Sequence, residues 1–157
     1  MTQEEFARRI VDMQDTLYRV ATTILPRLHD REDAVQQAIE KAWRNQRALR
    51  EDSAMKSWVV RILINECYAL LRRSKREIPS ETLPEREAAP DAKVDVYQLF
   101  TSLDKKHRLP MVLYYVEGYT IEEISRILLR PQGTIKSQLH RGRMMLRNNL
   151  SLEEARI

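Results

Sequence analysis

A chain of 157 residues, 43% of them hydrophobic, has room for one ordinary domain or two small ones, and its three glycines argue against a turn-dense β fold. Its single cysteine, Cys67, excludes an intrachain disulfide and a cysteine-rich zinc site. The net charge of +4 permits a nucleic-acid partner, and its placement says more: residues 1–76 carry fifteen Lys and Arg against eleven Asp and Glu, residues 77–95 two against six, and residues 96–157 ten against six.

Thr2 and Glu5 have the spacing of a capping box, and Phe6, Ile10, Met13, Leu17, Val20 and Ile24 then step by four and three. The pattern predicts one continuous helix of about five or six turns, closed by Pro26. Asp30 is the expected cap of a second helix, with Glu32 and Asp33 in its first turn. Ala34, Val35, Ala38, Ile39, Ala42 and Trp43 are expected to face inward, leaving Gln36, Gln37, Glu40 and Lys41 on a polar face whose plain reading is solvated surface.

Residues 45–52 lose the periodicity and read as a loop, after which Ser53 is the expected cap of a third helix. Its apolar positions are Met55, Trp58, Val59, Ile62, Leu63, Leu70 and Leu71, and its cations are Lys56, Arg61, Arg72, Arg73, Lys75 and Arg76. Cys67, among apolar neighbours, reads as a core residue rather than a redox sensor. Trp58, Arg61, Asn65 and Tyr68 mix rings with polar and charged groups, which suits stacking on unpaired bases and holding phosphates. Taken alone, Trp58 is more often a core residue.

Residues 77–95 hold Pro79, Pro84, Pro90 and six acids, the composition of a flexible linker. Val96, Leu99, Phe100 and Leu103 suggest a short helix. Asp104 caps the next, which runs to Gly118 with a bend or fresh start expected at Pro110. Thr120 and Glu123 form a further capping box ahead of Ile121, Ile124, Ile127 and Leu128.

Pro131 suits the first position of a last helix, which runs to about Arg147 with Ile135, Leu139, Gly142 and Leu146 on one dry stripe. Gly142 would let that stripe approach a neighbour closely. The other side carries Lys136, His140, Arg143 and Arg147, with Ser137 and Arg141 beside them, and no acid lies between Arg130 and Arg147. Two short helices, a tight corner and an acid-free second helix describe a helix-turn-helix whose second helix enters the major groove. Beyond residue 150 a short tail, 151–157, is expected.

Nothing here reads as catalytic. His29, His107 and His140 are dispersed and have no Cys, Asp or Glu at metal-ligand spacing, and there is no Gly-rich phosphate loop, nucleophile elbow or pair of carboxylates in an apolar setting. The expectation is a protein without enzymatic activity, cofactor or metal. Glu4 and Glu5 replace a basic leader and no apolar run reaches membrane length, which predicts a cytoplasmic protein.

The stretch EEISRILLRPQGTIKSQLHRGRMMLR closely resembles the minus-35-reading domain of bacterial RNA polymerase sigma factors of the extracytoplasmic-function group, in the sigma-70 family, which runs E-I-A-x-x-L-G-x-P-x-G-T-V-K-S-R-L-H-R-A-R. LYRVATTILPRLHDREDAVQQAIEKAW and SWVVRILINECYALLRRSKR are similar to the N-terminal domain of that group. The resemblance implies an all-α protein: a minus-10 domain over residues 1–76, a linker over 77–95 and a helix-turn-helix domain over 96–150. It implies that Lys136, Ser137, His140 and Arg141 face the minus-35 element, with Arg130, Gln132, Thr134 and Arg143 completing that set.

It also implies that Lys56, Trp58, Arg61, Asn65, Tyr68 and Arg72 bind the minus-10 strand beside a base-receiving loop at 45–55. Asp33, Gln36, Gln37 and Glu40 would meet the β′ coiled coil of core polymerase. The β flap, promoter DNA and a membrane-anchored anti-sigma factor are the further partners implied. The linker would thread the RNA exit channel. Two departures stand out. Leu129 occupies the usual corner-glycine position, which demands either a bulky left-handed residue or a reshaped turn. Gly142 replaces the usual Ala.

Three readings follow: an initiation factor for RNA polymerase, a dimeric helix-turn-helix regulator that binds duplex DNA alone, and a protein-interaction module whose basic faces meet acidic partners. Two basic blocks on either side of an acidic stretch favour the first.

Overall fold

In the computed structural model, residues 1–77 and 99–155 are described, and every regular element among them is helical. The expected linker at 77–95 and Val96 lie almost wholly outside the described residues, as do the side chains of Lys75 and Arg76. The chain divides into two compact units, Met1–Arg86 and Glu87–Ile157, each described by itself.

The first unit contains α1 (Gln3–Asp12), α2 (Gln14–Ile24), α3 (Leu28–Arg44) and α4 (Met55–Glu77). The Thr2–Glu5 capping box forms in both directions. The long first helix expected from the sequence is two helices. At Met13 ψ falls to −6°, and its N–H is shared between the carbonyls of Arg9 and Ile10 at 3.1 Å. The apolar stripe steps through the break unchanged, so Phe6, Ile10, Met13, Leu17, Val20 and Ile24 are all buried. Periodicity reports the buried side, and a local tightening leaves it intact.

Helix α3 begins at Leu28 behind an extended Arg27, so Asp30 is a first-turn acid rather than the cap. The corner before it is closed by Arg31, which is buried and donates from Nε to the Leu25 carbonyl at 2.8 Å and from Nη2 to that of Pro26 at 3.0 Å. Those carbonyls end the preceding turn, and a buried guanidinium satisfies both. Ala34, Val35, Ala38 and Ala42 pack inward as expected, Ile39 is half-buried, and Trp43 is 42% exposed. Trp43 lies on the row with Gln36 and Glu40, outside the dry stripe, and meets Phe6 edge-on at 6.0 Å.

The loop at 45–52 contains a 3-10 turn at Gln46–Ala48, and a second at Asp52–Ala54 leads into α4. Ser53 sits inside that second turn and does not end a loop. Helices α2 and α3 pack along α4, whose core positions include Met55, Val59, Val60, Leu63, Ile64 and Cys67.

The second unit contains α5 (Lys105–Met111), a π turn at Val112–Val116, α6 (Ile121–Leu128) and α7 (Gln132–Ala155). Asp104 caps α5 by accepting from the His107 N–H at 3.1 Å. Pro110 removes one backbone donor, and immediately beyond it the ladder widens: Glu117 N–H reaches the Val112 carbonyl at 3.0 Å. The expected irregularity is therefore a π turn. Pro131 precedes α7 by one residue, and its carbonyl accepts the first bond, from Ile135 N–H at 3.2 Å. The expected tail is helical as far as Ala155.

Candidate nucleic-acid and polymerase interfaces

The corner between α6 and α7 fixes how the second helix is presented. Thr120 and Glu123 cap α6 reciprocally at 3.1 Å, and Ile124 and Ile127 anchor it. Leu129 takes the left-handed conformation, φ 53° and ψ 47°, with its side chain 67% exposed. The bulky residue is accepted in place of glycine and the turn keeps its shape. Arg130 is then tied to Ser125 twice: its N–H donates to the Ser125 carbonyl at 3.1 Å, and its carbonyl accepts from the Ser125 hydroxyl at 2.5 Å.

On α7 the dry row Ile135, Leu139 and Gly142 is buried, with Leu146 half-buried. A Cβ on Gly142 would lie 2.8 Å from both Cγ and Sδ of Met111, so α5 and α7 touch through the missing side chain. Two exposed rows run beside the dry one: Gln132, Lys136, His140, Arg143 and Arg147, then Thr134, Ser137 and Arg141. Arg130 stands half-buried at the start, its Nη1 donating to Oε1 of the buried Gln138 at 3.2 Å. Arg143 is held at the far end, its Nη1 3.1 Å from the Tyr115 hydroxyl. The structure thus brings all eight expected residues to one side of α7 or its entry.

Helix α4 places Trp58, Arg61, Asn65, Tyr68 and Arg72 on a single row at spacings of three and four. Arg61, Asn65 and Arg72 are exposed, and Trp58 and Tyr68 half-buried. Trp58 is both a packing and a surface residue, meeting Phe6 edge-on at 6.5 Å. Lys56 does not join this row. It shares the side that Val60, Leu63 and Cys67 bury further along, and is exposed because it lies in the first turn.

On α3, Gln36, Gln37 and Glu40 are exposed, and the half-buried Asp33 pairs with His29 at 3.4 Å. Lys41 on the neighbouring edge pairs with Glu66 of α4, a carboxylate only 6% exposed. Burial pushes the Cys67 thiol up to about 12, with the Glu66 charge adding to the effect, so this sulfur is inert packing. The His107 ring, hydrogen-bonded to Asp104, is the first cause holding that exposed carboxyl below its usual range. Among the described residues no cluster of His, Cys, Asp and Glu is placed to hold a metal, and no helix is long and apolar enough to cross a membrane.

Comparison with known proteins gives two family matches: Sigma-70 region 2 over residues 10–77, and Sigma-70, region 4 over residues 93–146. The ECF RNA polymerase sigma factor SigM of Mycobacterium tuberculosis (strain ATCC 25618 / H37Rv) is 32% identical over 135 residues, covering 83% of this chain and 69% of SigM. This chain belongs to the extracytoplasmic-function sigma factors. SigW of Bacillus subtilis (strain 168) is 27% identical, covering 94% of this chain and 90% of SigW. Among solved structures, the sigma factor RpoE in complex with the anti-sigma factor NepR, from Bartonella quintana, has a TM-score of 0.81 at 25% identity, covering 94% of this chain and 98% of RpoE.

The sigma factor is accordingly a promoter-specificity factor for transcription initiation by RNA polymerase, and the stand-alone dimeric regulator is set aside. Its relatives are transcription factors without catalytic activity. Sequence reasoning missed two features of its surface. One is a groove lined by Ala7, Ile10, Val11, Ile39 and Trp43, rimmed by Glu40 and Arg44. The other, lined by Phe100, Met111, Tyr115, Leu146 and Leu150, is rimmed by Arg143 and Arg147. Each joins side chains distant in sequence, and only Trp43, misplaced in the core, gave a hint.

Proposed function

We propose that the two exposed rows of α7 read the minus-35 element, with Lys136, Ser137, His140 and Arg141 at the bases and phosphates and Arg130, Gln132, Thr134 and Arg143 around them. The Trp58-to-Arg72 row of α4, beside the loop at 45–55, holds the minus-10 strand, with Lys56 contributing charge from outside that row. The face of Asp33, Gln36, Gln37 and Glu40, extended by the Trp43 groove, docks on the β′ coiled coil of core polymerase. The second groove suits the β flap.

Residues 1–76 and 96–150 are the working domains and 77–95 connects them. The protein acts in the cytoplasm, catalyses nothing itself, and is restrained by an anti-sigma factor, anchored in the membrane as the resemblance implies. That RpoE of Bartonella quintana was solved with NepR supports the restraint.

The observation that carries this reading is the acid-free exposed side of α7 between Arg130 and Arg147, held off the scaffold by one dry row. Long cations and hydroxyls with no acid among them match a phosphate-lined groove. Run-off transcription on genomic fragments, with core polymerase from the source organism, tests it. Discrete transcripts sharing two spaced upstream elements are expected only when the sigma factor is added. Lys136→Ala and Arg141→Ala should each remove about 1–3 kcal/mol from use of the upstream element. Transcription indifferent to both changes would overturn the assignment of α7.

A further inference from the structure

Arg130 and Arg143 bracket the exposed side of α7, and each is held by a neutral acceptor. Arg130 Nη1 donates to Gln138 Oε1 at 3.2 Å, and Gln138 is 3% exposed, so its carbonyl has little water to turn to. The Arg130 backbone is fixed by both bonds to Ser125. Arg143 Nη1 donates to the Tyr115 hydroxyl at 3.1 Å. Tyr115 lies within the π turn that follows Pro110, and its ring is braced by Tyr114, T-shaped at 4.9 Å, and by Phe100 at 6.1 Å.

The choice of acceptor matters. Lys41 and Arg126 elsewhere in the chain are paired with Glu66 and Glu122, which fix them and cancel their charge together. Among the described residues neither Arg130 nor Arg143 has a carboxylate within ion-pair distance. A neutral acceptor orients a guanidinium while leaving its whole charge and most of its five donors for a second partner. Arg130 precedes the first turn of α7, and Arg143 lies eleven residues beyond Gln132, about 16 Å of helix rise, so the backbones of the two arginines flank the exposed rows.

We propose that Gln138 and Tyr115 are positioning residues, which hold Arg130 and Arg143 in place for phosphates at the two edges of the groove entered by α7. This rests on the DNA-reading role of α7 given above. The side-chain freedom that each arginine would lose on meeting phosphate is already lost in the free protein, and less of the contact energy is spent on ordering.

The test measures binding of the full chain to a short random-sequence duplex across a salt series, which requires no knowledge of the promoter. Gln138→Met keeps length and burial but removes the acceptor. About fivefold weaker binding with an unchanged salt slope is expected, because the charge remains and only its orientation is lost. Gln138→Glu holds Arg130 but neutralises it, so binding should weaken with a slope smaller by about one. Tyr115→Phe, which keeps the ring, should weaken binding about threefold.

Each loss should vanish when the arginine is already gone, in Arg130→Ala and Arg143→Ala backgrounds respectively. Losses that persist there, or a Gln138→Met protein that binds like the parent, would overturn the proposal. A lowered urea midpoint with persistent losses would identify Gln138 as structural only. The reading of α7 fails separately, if Lys136→Ala and Arg141→Ala leave duplex binding and transcription untouched.

Discussion

Helices α4 and α7 both set one wet side against one dry side, yet they are supported differently. Helix α4 is clasped along its length by α2 and α3 and buries an acid, Glu66, which Lys41 of α3 neutralises. Helix α7 packs on both α5 and α6, most closely where Gly142 meets Met111, and leaves two full rows of its surface to solvent. The same amphipathic pattern thus serves two ends. On α4 half-buried rings stand among the cations, whereas the two exposed rows of α7 hold only polar and charged groups, which suits entry into a groove.

The close approach should be the more fragile support. Gly142→Val places branched carbons where Met111 already lies, and relief requires a buried side chain or the helix itself to move. A loss of about 2–3 kcal/mol is expected. Both tryptophans, Trp43 and Trp58, lie in the first unit, so their fluorescence transition in urea should stay put. Hydrogen exchange in α5 and α7 should accelerate. Met111→Ala in the same chain should recover part of the loss, and full additivity would show that the contact is not the cause.

The support of α4 predicts the reverse pattern. Lys41→Met leaves the Glu66 carboxylate buried without its partner, and because Lys41 is itself half-exposed the effect should be about 1–2 kcal/mol, below that of breaking a fully buried pair. Here the tryptophan transition should move to lower urea while exchange in α7 stays unchanged. Alkylation of Cys67 next to Glu66 should speed up in step, since that buried thiol reacts only when the unit opens. A fluorescence transition at its original midpoint would deny the ion pair any role in holding α3 on α4.

How much of this was legible beforehand follows from the range of each signal. The dry stripes of α1 to α4 and α7 and both capping boxes are set by neighbours within one or two turns, and the sequence displays them directly, whereas Gly142 marks a close approach without naming Met111, 31 residues away, as its partner. The break at Met13 escaped because the stripe continues through it. The role of Arg31 has no local sequence signal, because its partners, the Leu25 and Pro26 carbonyls, are backbone groups around a corner.

The hydropathy of Trp43 points inward, but its position three residues after Glu40 puts it on the wet row. Of the site, the rows on α7 and α4 are readable as helical spacing, and the same spacing sets Lys56 apart from the α4 row. Gln138 and Tyr115 were invisible, because each earns its role through a partner that only the packed unit brings within reach.

The smallest expected effect is at Leu129, where folding and recognition by α7 can be separated. A left-handed leucine carries about 1–2 kcal/mol of strain, and at 67% exposure its side chain returns little of that by packing. Leu129→Gly relieves the strain but gives the unfolded chain more freedom, worth about 0.5–1 kcal/mol against it. The net expectation is a gain of about 0.5–1 kcal/mol, seen as slower hydrogen exchange at the end of α6 and the start of α7. Duplex binding should stay at the parental value, because no hydrogen bond of Arg130 passes through the leucine side chain. If the corner tightened while binding fell, the exposed leucine would itself be touching DNA. The strain would then be held in the fold for that contact, because a residue that only turns the chain has no reason to be leucine.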